Sequence, residues 1–169
     1  MKFSCLKTFT IELCTYVNFS AAGVARLACC ALANLAEMSE NFDRIADANA
    51  IPNLISVLSN PNEDLRKDAA RALGNLAANI EFGDVILREG ALPYLIPMLR
   101  SSDSVTQRMA AMALCNLSSN IRNQGFMLDG GLFDPLMGEG KFLLIYICNF
   151  HIFKSHLHMN YICKLHWNY

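Results

Sequence analysis

The sequence predicts an all-α repeat array with three helices in each unit and a constant period. Three observations carry that expectation. The stretches "ALANLAEMS" at 31–39, "ALGNLAANI" at 72–80 and "ALCNLSSNI" at 113–121 each hold one Asn in an otherwise small and apolar run. The spacings of Asn34, Asn75 and Asn116 are equal, 75 − 34 = 41 and 116 − 75 = 41. Asn is a poor helix former and is rarely buried without partners, so its recurrence at a fixed spacing marks a repeat. Secondly, "ANAIPNLISVL" at 48–58 overlies "EGALPYLIPML" at 89–99, and "GGLFDPL" at 130–136 starts the pattern again. Leu54, Leu95 and Leu136 share one register, and Leu32, Leu73 and Leu114 share another. Thirdly, Gly, Pro and polar turn residues recur where helices must stop and start.

The elements follow in order. Leu13 precedes Leu54 by one period and Val17 precedes Leu58 by one, so segment 1–19 reads as a degenerate helix of an earlier unit. A third helix is expected near 22–38, then two full repeats at 39–79 and 80–120, then the start of another up to 137. Within a repeat the short first helix, such as "FGDVILRE" at 82–89, ends at Gly90, since Gly tolerates positive φ just past a helix end. Gly130 takes a related place after "QGFMLD". The second helix opens near Pro52 or Pro93, where a missing N–H is harmless, and closes at Leu58 or Leu99. The turns "SNPNED" and "RSSDS" are rich in capping residues. The long third helices then span about 64–78 and 105–118.

Composition narrows the function classes. Of 169 residues, 53% are hydrophobic and 17% charged, which gives a folded chain with enough length for a core. The net charge of −1 points to neither nucleic acid nor an anionic membrane as partner. Seven Cys, an odd number without zinc or redox spacing, fit a reduced cytoplasmic or nuclear setting. Lys7 and Glu12 interrupt the N-terminal segment, which makes it a poor signal peptide. The longest uncharged apolar run, "FLLIYICNFHIF" at 142–153, is too short for an integral membrane span.

Short helix, middle helix and long helix at this period resemble the armadillo repeat. "GALPYLIPML" carries the likeness for the second helix, and "AARALGNLA" and "AAMALCNLS" for the third, over residues 20–137. HEAT repeats have similar lengths but two helices and no such Asn. The resemblance implies a right-handed superhelix, an α-solenoid, and a chain that is part of a longer array. It also implies that third helices line a concave groove into which the Asn side chains point. On a helical wheel Ala69, Ala72, Leu73 and Leu76 form the core face, while Asn75 sits at its border with Arg71 and Lys67 on the open side.

An Asn amide offers a donor and an acceptor, so one Asn clamps one peptide unit of an extended ligand. By resemblance Asn34, Asn75 and Asn116 form that ladder; the alternative is an Asn that only bonds adjacent repeats together. Eight positions before each Asn stand Arg26, Lys67 and Arg108. With Arg71 they make a basic stripe that favours an acidic segment of a protein partner. Nuclear-import carriers place Trp four positions before each groove Asn; here those places hold Cys30, Arg71 and Met112. A catenin-like mode therefore fits better than import-signal binding.

The register breaks after Met137, and segment 138–169 carries all four His and no acidic residue after Glu139. It reads as sequence unrelated to the repeats. Cys148, His151, His156, His158 and Cys163 match no zinc spacing, so no metal or other cofactor is expected. Phe142, Leu143, Ile145, Tyr146 and Ile147 are expected to fold back over the last repeat as a cap. The repeats hold no His, no phosphate loop and no nucleophile–base pairing, so the expected function is not enzymatic.

Overall fold

The computed structural model describes residues 10–16 and 22–132. Among them every regular element is helical. Helix α1 covers residues 10–16. It is followed by α2 (Ala22–Leu35), a 3₁₀ turn (Ser39–Asn41), α3 (Phe42–Asp47), α4 (Ala50–Val57) and α5 (Glu63–Leu76). The next unit comprises α6 (Ile80–Arg88), α7 (Leu92–Met98) and α8 (Ser104–Ser118). Helix α9 (Ile121–Met127) and a π turn (Leu128–Leu132) begin another. The fold is the expected right-handed α-solenoid, with α2, α5 and α8 as successive third helices. Helix α5 lies between the other two and packs most extensively on both.

Local chemistry sets each boundary. Asn62 accepts hydrogen bonds from the Asp64 and Leu65 N–H groups and starts α5. Asp103, one period on from Asn62, accepts from Val105 and Thr106 and starts α8. Asn79 and Asn120 do the same for α6 and α9, so the short helix opens at Ile80 rather than 82. Met38 occupies that register place in the first unit and has no side-chain acceptor. The chain enters there through the 3₁₀ turn, and Asn41 Nδ2 satisfies the Leu35 carbonyl at 3.0 Å. Pro97 lies inside α7, where it supplies no N–H, and the helix stops at Met98.

Left-handed backbone falls at Asn49 (φ 56°), Gly90 (φ 83°) and Gly131 (φ 88°). These positions keep the period, 49 + 41 = 90 and 90 + 41 = 131. The residue that ends the last described unit is therefore Gly131 and not Gly130. Gly130 instead lies against Leu92, whose Cδ1 is 3.0 Å from where a Cβ would stand.

The core repeats with the sequence. Leu32, Leu73 and Leu114 on the third helices and Leu54 and Leu95 on the second are all 0% exposed. Phe42 and Phe82 meet edge to face at 5.7 Å and tie the short helices of adjacent units. Leu13 and Cys14 of α1 join this core. Leu136 and the segment 138–169, with its expected cap and its His and Cys residues, lie outside the described residues.

Candidate functional site: the third-helix face

The wheel places the Asn residues at the border of the buried face, and the structure shows what they do there. Asn75 Nδ2 donates to the Ala33 carbonyl of α2 at 3.0 Å. Asn116 Nδ2 donates to the Gly74 carbonyl of α5 at 2.7 Å. Each Asn thus reaches back one unit, to the residue just before the equivalent Asn. Both are half-buried, and neither amide oxygen takes a hydrogen bond among the described residues. No third helix precedes α2 among the described residues, so Asn34 has no such carbonyl to reach. It is exposed, and its oxygen accepts from Arg71 Nη1 at 2.9 Å.

Close approach makes these bonds reachable. Gly74 is buried, and a Cβ there would stand 3.1 Å from Met112 Cε and 3.2 Å from Ala113 Cα. The absent side chain lets α8 settle on α5 near enough for the short Asn116 bond. Ala33 fills the same place between α2 and α5, and the bond there is the longer of the two, 3.0 Å against 2.7 Å.

The four basic residues are not a uniform positive stripe. Arg26 approaches Asp64 at 3.8 Å and Asp68 at 3.9 Å. Lys67 Nζ lies 2.7 Å from Asp64 and 3.9 Å from Asp103. Arg71 donates to Glu37 at 3.3 Å and to the Cys30 carbonyl at 3.4 Å. Carboxylates therefore alternate with cations across the stacked helices. Arg108 is exposed and has no ion pair among the described residues. The sequence by itself does not single out Asp64, Asp68 or Glu37 as partners of these cations. Position 103 is recoverable from it, because a helix must be capped where the register repeats Asn62.

The charges tune one another. The Lys67 hydrogen bond holds the Asp64 carboxyl below the usual carboxylate range and raises the ammonium in return. Hydrogen bonds from Thr106 and the Val105 N–H hold Asp103 low. Burial pushes Asp68 up despite Arg71, Arg26 and Lys67 around it. Burial also lifts the Cys14 thiol to about 11 and the Cys29 thiol to about 12, so both stay protonated and serve as packing groups.

Towards the C-terminal ends of the third helices the face opens into a hollow of about 430 Å³. Glu37, Ser39, Phe42, Asn75 and Asn116 line it, with small Ala36 and Ala78 keeping it open. It presents an apolar floor and amide groups, the mixture that suits an extended polypeptide. Among the described residues no cluster of His, Cys, Asp and Glu is placed to hold a metal ion. No described helix is long and apolar enough to cross a membrane.

Residues 20–115 match the family described as HEAT repeats. Several solved structures share the fold. One engineered protein is 28% identical, with a TM-score of 0.72 over 75% of this chain and 54% of that one. Computationally designed armadillo repeat proteins for modular peptide recognition are 25% identical, with a TM-score of 0.71 over 75% of this chain and 54% of that one. A designed armadillo repeat protein in complex with the peptide (KR)4 is 22% identical, with a TM-score of 0.75 over 82% and 61%. This chain thus spans between half and two thirds of the length of these structures. No curated protein matches the sequence.

Proposed function

Since this chain belongs to the HEAT-repeat family, with armadillo-like units of three helices, we propose that it is a non-enzymatic protein-interaction scaffold. The ligand is an extended peptide segment laid across α2, α5 and α8. One observation carries the reading. Asn75 and Asn116 each spend one N–H on stacking and keep an amide oxygen unused beside the 430 Å³ hollow. An extended chain presents backbone N–H groups on alternate sides, and two amide oxygens one unit apart suit it as acceptors. Peptide recognition by the designed armadillo structures supports this use of the face. The paired charges argue against a strongly acidic ligand along the whole groove. An acidic residue of the ligand is placed best at Arg108, where a cation stands without a carboxylate among the described residues. Without Trp at Cys30, Arg71 and Met112, import-signal binding has no stacking platform.

A second reading has its own support. The amide nitrogens of Asn75 and Asn116 already bond adjacent units, which is the role of a purely structural section of a longer scaffold.

Arg108→Glu separates the two. Arg108 is exposed and leaves the fold alone, so helicity by circular dichroism should not change. Fluorescence anisotropy with labelled extended peptides, one carrying Glu residues and one of matched length carrying Ser, reads the binding. The interaction reading expects the Glu peptide to bind and Arg108→Glu to weaken it about ten-fold, with less effect at high salt. Absence of binding by either peptide favours the structural section, and binding that ignores Arg108→Glu removes Arg108 from the peptide site.

A further inference from the structure

We propose that the hollow between α7 and the starts of α5 and α8 docks a polyproline-type segment of a partner protein, one that carries an acidic residue one turn from a proline. The hollow has a volume of about 420 Å³. It is independent of the peptide groove. Thr106 on its lining and Asn116 in the groove are ten residues apart on α8 (116 − 106), about 15 Å. Pro93, Tyr94 and Pro97 of α7 line the hollow, and all three are exposed, Tyr94 at 40%. Rings of this kind make a rigid surface on which a polyproline helix lies at low entropic cost. The repeat itself does not ask for these residues. One period earlier Asn53, Ser56 and Ser59 stand where Tyr94, Pro97 and Arg100 stand here, and Ala25 stands for Arg66. Pro97 even lies inside α7, a placement that weakens a helix.

Charge and spacing decide which segment fits. Arg66 and Arg100 also line the hollow. The Arg100 guanidinium has no ion pair or hydrogen bond among the described residues. Arg66 Nη1 donates to the Asn60 and Pro61 carbonyls at 2.8 and 2.9 Å. These bonds hold the guanidinium in place and leave its other nitrogens without a partner among the described residues. The nearby carboxylates are engaged elsewhere. Glu63 accepts from the Ser101 hydroxyl, and Asp103 accepts from the Val105 and Thr106 N–H groups and the Thr106 hydroxyl. Among the described residues neither pairs with Arg66 or Arg100. Two open cations beside a wall of rings are the complement of a carboxylate carried on a proline-rich chain. From Tyr94 to Arg100 the chain turns through six residues (100 − 94), about 9 Å along the helix axis. One turn of polyproline, three residues, spans about the same length. A proline resting on Tyr94 thus sets the residue one turn away at Arg100.

Fluorescence anisotropy of the full chain with a labelled nonapeptide of four Pro, one Glu and four Pro tests it, with circular dichroism as the folding control. Two matched peptides replace the Glu by Gln or every Pro by Ala. The expected result is saturable binding of the first peptide, at least about ten-fold tighter than of either control and weaker as salt rises. Tyr94→Asn and Arg100→Ser should each weaken that binding at least about ten-fold. Both should keep the fold, because the preceding unit carries those residues at these places. Arg108→Ser removes a cation from the groove and should bind the peptide as wild type does, so the two sites are read separately. Absence of binding, equal binding of the Gln peptide, binding indifferent to both Tyr94→Asn and Arg100→Ser, or binding lost in Arg108→Ser overturns the proposal.

Discussion

Single residues act here through the carbonyl they reach. Asn116→Ala removes the 2.7 Å bond to the Gly74 carbonyl, which takes no backbone N–H among the described residues because that of Ala78 goes to Asn75. The loss should be about 1 kcal/mol, read from urea unfolding. Gly74→Leu should cost more, about 3 kcal/mol, because the new side chain meets Ala113 backbone atoms at 3.2 and 3.3 Å that cannot step aside. If Gly74→Leu matches wild type in stability, the close approach of α5 and α8 is not tight. The recurrence of Asn is legible from spacing alone. Its partner is not, since a carbonyl has no sequence signature and only the stacking of helices brings Ala33 and Gly74 within reach.

At the scale of elements, caps and register determine where each helix begins. Asn62→Ala should destabilise the chain by about 1 kcal/mol, measured by thermal melting. The helix starts also carry a pH signature. Asp64 and Asp103 are held below their ordinary values, so their contribution is present above the usual carboxylate range and fades as pH falls through the lowered values. Asp68, raised by burial, works the other way and gains on protonation. The melting temperature should therefore fall in acid below the ordinary aspartate range, and Asp103→Asn, which keeps a capping oxygen, should flatten that fall. An acid melt identical in wild type and Asp103→Asn would show that the Asp103 contacts are not formed in solution. Helix order and the third-helix positions can be read from periodicity, because apolar spacing is itself a geometric record. The left-handed Gly131 and the caps at Asn79 and Asn120 obey the same period. Local composition points elsewhere at those places, to Gly130 and to a helix start at 82, and there the register is the better guide. The alternation of carboxylates with cations cannot be read, since it depends on contacts between units.

For the whole molecule, stability accumulates through neighbour interfaces, and among the described residues α5 is the third helix with a third helix on both sides. Leu73→Ala, at a site 0% exposed in that middle helix, should cost about 2–5 kcal/mol. In an array this short that loss should abolish a cooperative melt. A sharp, reversible transition in the variant would show that the units fold without one another.

The Ser118 hydroxyl gives the stack a direction. The carbonyls of Ala33 and Gly74 each take an Asn from the following helix, and the next in register is that of Cys115. It is already taken by Ser118 Oγ at 2.7 Å, and the place where a further Asn would stand is Leu157. One terminus of the ladder keeps a spare donor at Asn34, while the other has filled its acceptor from within. The stacking bond that ties Ala33 and Gly74 to the following unit is thus replaced at Cys115 by a bond from the same helix, among the described residues.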